Sequence, residues 1–391
     1  MTRHELAPTG TATLFQFLRD GRPRTRAELA AETGLARSTV AERIDTLLSS
    51  GLLKFSDKAN STGGRPPTTV AFNPAARVVL AADIGATHAK LAVTDLAGDV
   101  LVEEDKVLNI ADGPEVVLRE VCDRGRALLT QAERDETDLL GVGIGLPGPV
   151  EHLSGKPTNP PIMPGWDGFD VPAFVRGELG AATLVDNDVN IMALGEYRAH
   201  WTKYEHMILV KVATGIGSGL ISYGRLHRGS QGAAGDMGHV RVPHDTDILC
   251  HCGNVGCLEA VASGAAIAAK LTEAGVPATN SADVVTLARN GSVTALQHIR
   301  QAGRDIGEVL ATAVSLFNPS VLAVGGALSL AGEHLIAGVR EAVYQRSLPL
   351  ATQNLRIVPL RSGDEAGVSG AAFMVIDHAL AAGQVESLLT Q

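Results

Sequence analysis

No stretch of this chain is apolar for long enough to cross a bilayer, and residues 1–10 show no basic start followed by an apolar run. Those absences predict neither a membrane span nor a signal peptide, and so a cytoplasmic protein. Cysteine is scarce as well, four in 391 residues, and without a secretory segment a reducing compartment is expected, where disulfides are rare. What is abundant is apolar side chain and glycine: 45% hydrophobic content with 43 glycines reads as an α/β globular protein of two or three domains.

Three of the four cysteines fall in a single run, Cys250-His251-Cys252-Gly253-Asn254-Val255-Gly256-Cys257-Leu258-Glu259, and Gly238-His239 stands just upstream. Three thiolates and one imidazole form the usual tetrahedral set of a closed structural zinc site, and the two glycines let the loop fold tightly enough to aim the sulfurs inward. Cysteines one residue apart are poorly placed for an unstrained disulfide. Ordinary buried thiols are the alternative to zinc. His251 competes with His239 for the fourth position, and geometry favours His239, because neighbours of a ligand in an extended loop point away from it.

Charge is uneven along the chain. Residues 1–75 hold ten Lys and Arg against seven Asp and Glu, a net of +3, whereas the remainder holds 23 against 36, a net of −13. A basic head on an acidic body suggests that only the head meets a polyanion.

Within that head, residues 11–20 place Leu14, Phe15, Phe17 and Leu18 on a helical stripe that Gly21 and Pro23 end. Thr25-Arg26-Ala27-Glu28 has the form of a capping box and opens a second helix, which Gly34 closes. A third helix is predicted over residues 36–50, with Val40, Ile44, Leu47 and Leu48 inward and Arg37, Ser38, Thr39, Glu42 and Arg43 outward. Ala36 is an unusual residue for the cap of that helix. Helix, glycine turn, helix is the helix-turn-helix arrangement, in which the N-terminal residues of the second helix reach base edges. Residues 52–55 and 68–72 read as strands of a wing whose tip carries Arg65, between glycines and prolines, suited to a phosphate or a narrow minor groove. The competing reading is a small helical bundle that docks a protein partner.

The body begins with an apolar strand over residues 78–82 that runs into Asp83-Ile84-Gly85-Ala86-Thr87-His88-Ala89-Lys90 and a second strand. This is a plausible phosphate cradle, with Asp83, Gly85 and Thr87 placed for a nucleotide and Asp83 for a hydrated Mg²⁺. A second strand-turn-strand follows at residues 208–219, with Thr214 and Gly215 in its turn, and a third glycine turn, Gly325-Gly326, follows the strand at residues 321–324. Repetition of the turn in two halves suggests two related lobes facing a cleft. Between them, a strand at residue 183 ends in Asp186-Asn187-Asp188 and leads into a helix over residues 191–199. An Asp there can accept a proton from a sugar hydroxyl and the neighbouring Asn can hydrogen-bond the same edge; an ordinary Asn/Asp helix cap is the alternative.

The winged head, Asp83-x-Gly85, Leu146-Pro147-Gly148-Pro149, Asn187-Asp188, Gly235-x-x-Gly238-His239 and the cysteine run together resemble the ROK family of repressors and sugar kinases, over nearly the whole chain. The resemblance implies a mainly α winged helix-turn-helix over 1–75 and a two-lobed, actin-like (ribonuclease H-like) α/β body. Its first lobe would span 76–190, completed by a C-terminal helix at 372–391, and its second lobe 191–371 with the zinc loop. It implies Asp188 as the family's catalytic base, with Asn187 and Asn159 as sugar contacts. His239 would serve both zinc and sugar, and Glu259 a sugar hydroxyl. It also implies a homodimer or homotetramer acting on operator DNA with a sugar effector.

Three departures from the family pattern stand out. Asp236 replaces a Glu and is one methylene shorter. Ala86 and His88 replace the second Gly and the Lys of the kinase turn Asp-x-Gly-Gly-Thr-Lys, which impairs ATP binding. The expected function is therefore a sugar-responsive repressor of carbohydrate genes. An ATP-dependent sugar kinase, or a bifunctional protein using Asp188 as base, is the alternative.

Overall fold

Each half of the body is built on the same plan: an antiparallel hairpin widened by parallel strands. In the computed structural model, which describes residues 10–56, 68–244 and 246–389, the first sheet runs in the order Thr183–Asn187, Leu139–Leu146, Val78–Ile84, His88–Asp95, Val100–Val107. The first three strands are parallel and the last two add antiparallel. The second sheet runs Arg225–Leu226, Ile216–Ser222, Met207–Val212, Val321–Gly325, Arg356–Pro359, with the last three strands parallel. The strands Val78–Ile84 and Met207–Val212 are covered on both faces, which is why they read as nearly continuous apolar runs. Their carboxyl ends carry the turns at residues 85–87 and 213–215, where an α/β sheet opens to ligands.

Two helices join the halves. Asp188–Glu196, buried along its whole length, crosses Glu365–Ala379 between the sheets. Glycine permits the close crossing: a side chain on Gly370 would run into the carbonyl of Ile191, and one on Gly195 into that of Ala366. A boundary at 190/191 would thus cut a continuous helix. The C-terminal contribution to the first lobe starts at Glu365, not 372, because that whole helix lies on the strands Val78–Ile84 and Leu139–Leu146. The helix expected over residues 191–199 starts at Asp188 and passes into a π-helical turn, Tyr197–Trp201. Buried Glu196 orders this region by accepting hydrogen bonds from the Trp201 indole and the backbone of Arg361 and Ser362.

The head comprises helices Thr11–Leu18, Arg26–Thr33 and Arg37–Ser49. Leu14, Phe15 and Leu18 are buried, while Phe17 faces outward. Thr25 and Glu28 make the reciprocal capping box, and Gly34 takes the left-handed conformation that ends the second helix. Leu53–Ser56 and Thr69–Phe72 pair as the wing, with a short third strand, Arg24–Thr25, on the other side of Thr69–Phe72. The wing tip and Arg65 lie outside the described residues.

The head is not a separate bead. Its core residues, among them Phe15, Ile44 and Phe72, are continuous with Val79, Ala92, Ile191, Val375 and Val385 of the body. The last helix, Ala382–Leu388, packs on the head's first helix. Among the described residues no single helix is long and apolar enough to cross a membrane.

Candidate functional site: the interlobe cleft and its cysteine loop

Between His239 and Cys257 the chain makes a knuckle from two short antiparallel bridges, Arg241 with Cys257 and Leu249 with Val255. At the tip, Cys250 N–H donates to Asn254 O at 2.7 Å and Gly253 N–H to Cys250 O at 2.9 Å, with Gly253 at φ 90°, which only glycine adopts freely. This fold gathers His239, Cys250, Cys252 and Cys257 so that their ligand atoms all lie within 4.8 Å of one another. His239 Nδ1 is 3.7 Å from Cys250 Sγ, and Cys252 Sγ is 3.6 Å from Cys257 Sγ. Those are edges of the tetrahedron that zinc–sulfur bonds of about 2.3 Å require, close to 3.8 Å, so the residues present fit zinc. His251, exposed and outside the group, is not part of it. The thiols are unequal: backbone donation from Asn254 lowers Cys252 to about 7, whereas burial pushes Cys257 up to about 12.

The loop is tied to the cleft by its last residues. Glu259 N–H donates to Gly238 O at 2.8 Å, and Glu259 Oε2 accepts from Ile216 N–H at 3.0 Å, in the turn carrying Thr214 and Gly215. His239, Glu259 and that turn therefore form one unit. Asp236 is exposed in the adjacent loop, whose Gly235 lies on Ser218.

Asp188 opens the buried helix. Its Oδ1 accepts from Val189 N–H at 2.8 Å, and its Oδ2 accepts from Lys211 Nζ at 2.6 Å. Asn187 is the helix cap: its Oδ1 takes Val189 N–H at 3.0 Å, and its amide donates to Gly148 O at 2.9 Å. The side chain expected to touch sugar is thus engaged with backbone at both ends, and it holds the Leu146-Pro147-Gly148 turn in place. Asn159 sits beside that turn in a left-handed conformation, φ 44°, its N–H bound to Asp167 at 2.7 Å and its residue exposed.

Sequence reasoning missed two cations, because their partners come from other strands. Lys211 lies on the second lobe, as does Arg228, whose Nε donates to Asp186 Oδ2 at 2.6 Å. Asp186 is buried and also accepts from Asn190 Nδ2 at 2.7 Å. Two ion pairs therefore stitch the second lobe to the segment 186–188.

At the first glycine turn, Gly85 N–H donates to His88 O at 2.8 Å, and the His88 ring covers Gly85 so closely that an added Cβ would touch it. Gly326, at φ 85°, lies on the backbone of Val212, and Gly325 pairs with Lys211. Asp83 lies at the floor, its carboxylate against Gly367. Burial raises its pKa to about 6, with Lys211 opposing and Asp188 adding to the rise. For Lys211, burial works against the charge but Asp188 and Asp83 outweigh it, and its pKa is raised.

At the other end of the molecule, Arg37 and Ser38 are exposed at the start of the third head helix, and Thr39 is half-buried. Arg43 departs from the expected outward position: it is half-buried and its Nη1 donates to Gly10 O at 3.2 Å. It braces the first helix.

Residues 79–378 match the ROK family and residues 9–54 a winged helix-turn-helix DNA-binding family. The chain belongs to the ROK family. It is 30% identical over 370 residues to the xylose repressor of Caldicellulosiruptor bescii, covering 91% of this chain and 92% of that one. A ROK family transcriptional regulator described as a homologue of the Escherichia coli Mlc protein superposes with a TM-score of 0.83, 25% identity and 98% of both chains. A ROK glucokinase from Streptomyces griseus, solved with glucose and AMPPNP, superposes with a TM-score of 0.65 and 27% identity; it covers 76% of this chain and 98% of its own. The likeness to the regulator takes in the head, which the ROK match at residues 79–378 leaves out.

Proposed function

We propose that this chain is a sugar-responsive transcriptional repressor, acting in the cytoplasm as a homodimer or homotetramer, that holds operator DNA through its winged head and releases it when sugar enters the cleft. The observation that carries the coupling is a shared carboxylate. Asp377, on the helix Glu365–Ala379, pairs with Arg198 and, at 3.3 Å, with Arg19. Arg198 belongs to the turn that ends the helix beginning at Asp188, and Arg19 caps the first helix of the head. Gln16 adds a bond from the head to Leu380 O at 2.8 Å. A shift of the Asp188 helix on sugar binding is therefore felt at the head within one side chain.

Asp188, Glu259, His239, Asp236 and Asn159 line the sugar side. Asp188 acts there as an acceptor for a hydroxyl, and Asn187 orients it. His239, Cys250, Cys252 and Cys257 hold zinc, which supplies cross-linking of the loop rather than reactivity, so that His239 and Glu259 keep one geometry. Arg37, Ser38 and Thr39 meet base edges or phosphates, with Arg65 reaching the backbone or the minor groove. Paired heads read half-sites at a fixed spacing, so a small rigid-body change in one protomer removes operator affinity.

A gel shift on DNA from upstream of the chain's own gene, with and without a panel of monosaccharides, tests the reading. A sequence-specific band that one sugar abolishes is expected, and Arg37→Ala should lose the band while leaving sugar affinity intact. No specific band at physiological salt would refute it.

A further inference from the structure

Kinases that transfer phosphoryl groups on this kind of fold need carboxylates free for a divalent cation, and a glycine turn open to phosphate. Neither is present. Lys211 Nζ lies 2.6 Å from Asp188 Oδ2, the His88 ring closes over Gly85, and Asp188 Oδ1 is already taken by Val189 N–H at 2.8 Å. The strand placing Lys211 pairs it with Gly325 at the third glycine turn, where an added side chain would meet Met192 and Leu360.

We propose that Lys211 is this chain's own substitute for the divalent cation, an ammonium that neutralises Asp188, shuts Mg²⁺-nucleotide out of the cleft, and leaves a site that binds sugar without phosphorylating it. The proposal deepens the repressor reading and rests on it for the sugar. An ammonium is singly charged and directional, so it holds Asp188 as a fixed acceptor and spans the lobes from a strand of the second to the helix shared with the first. A metal would do the same only when nucleotide brought it. Lys211 makes the neutralisation permanent, and the cleft answers to sugar alone. Burial of the Asp83 carboxyl raises its pKa and Lys211 opposes that rise, which fits the same picture.

The test compares the full zinc-loaded chain with Lys211→Met, which keeps the apolar stem and removes the charge, and with Lys211→Arg. Mn²⁺ alone, then Mn²⁺ with ATP, is titrated while electron paramagnetic resonance reports free Mn²⁺. Circular dichroism and operator binding on the same samples check folding and the repressor reading separately. The parent and Lys211→Arg should take up no cleft Mn²⁺. Lys211→Met should bind it tighter by roughly tenfold or more, the scale of one unit charge removed from a partly screened site, and adding Asp83→Asn should abolish that gain. Parent protein binding Mn²⁺-ATP as tightly as Lys211→Met would overturn the proposal. So would a folded Lys211→Met that gains no Mn²⁺ site, because exclusion would then lie in His88 and Ala86. If the parent bound no operator, the repressor reading would fail while the Mn²⁺ comparison still decided the role of Lys211.

Discussion

Asp83 is a carboxylate whose charge burial disfavours. Its pKa rises to about 6 from 3.8, so between those values the folded state binds a proton that the unfolded state has released. Stability from this group is therefore greatest below about 3.8 and is lost as pH rises through about 6. Asp83→Asn should remove that slope, which urea denaturation across the same pH range would show as a flatter dependence than in the parent; an unchanged slope would contradict the assignment. Arg228 presents the opposite case. Removing it leaves buried Asp186 without its counter-ion, and Arg228→Ala should cost about 3–5 kcal/mol in the same assay; a loss under about 1 kcal/mol, as for a surface pair, would contradict the buried stitch. Neither Lys211 nor Arg228 was marked by the sequence. Lys211 and Asp188 are 23 positions apart, Arg228 and Asp186 are 42, and only the pairing of strands brings them together. The four zinc-loop residues, by contrast, could be read because three share one run and the fourth follows a glycine that its neighbours need: a side chain at Gly238 would meet Ile216 O. Asn187 serves as the helix cap, and its amide also donates to Gly148 O.

Among the elements, the zinc loop and the crossing helices make separate predictions. Chelation with a strong zinc ligand should loosen the 239–259 loop and abolish sugar binding by calorimetry, since the loop's last residue, Glu259, holds the Ile216 turn. Full sugar affinity in zinc-free protein would contradict the loop's role. Gly370→Ala would press a methyl into the backbone of Ile191 and should destabilise by about 1–3 kcal/mol, more than the same change at exposed Gly177, where nothing lies within 4 Å. The helices of the head were legible because capping box, glycine stop and apolar stripe agree locally. The two-residue strand Arg24–Thr25 carries no such signal, and the π-helical turn at Tyr197–Trp201 depends on Glu196, whose other partners are 165 and 166 residues away. The extent of the C-terminal helices was hidden for the same reason: Glu365–Ala379 is apolar on several faces because it is buried between two sheets and the head.

At the scale of the whole molecule, head and body share one core and one carboxylate. The basic head and acidic body were visible in composition, but composition cannot show that Phe15 and Val375 lie in the same apolar cluster. That continuity makes the head's orientation a property of the body. Asp377→Asn keeps the size of the side chain while removing its charge, and should leave DNA affinity nearly intact while weakening the response to sugar. The most direct measurement of the central claim is fluorescence anisotropy of labelled upstream DNA with the parent chain and Asp377→Asn, each challenged with the same sugar panel. The account predicts that one sugar releases DNA from the parent and releases it far less from the variant. Equal release from both would contradict the route through Asp377, and DNA binding that no sugar alters would contradict the coupling itself.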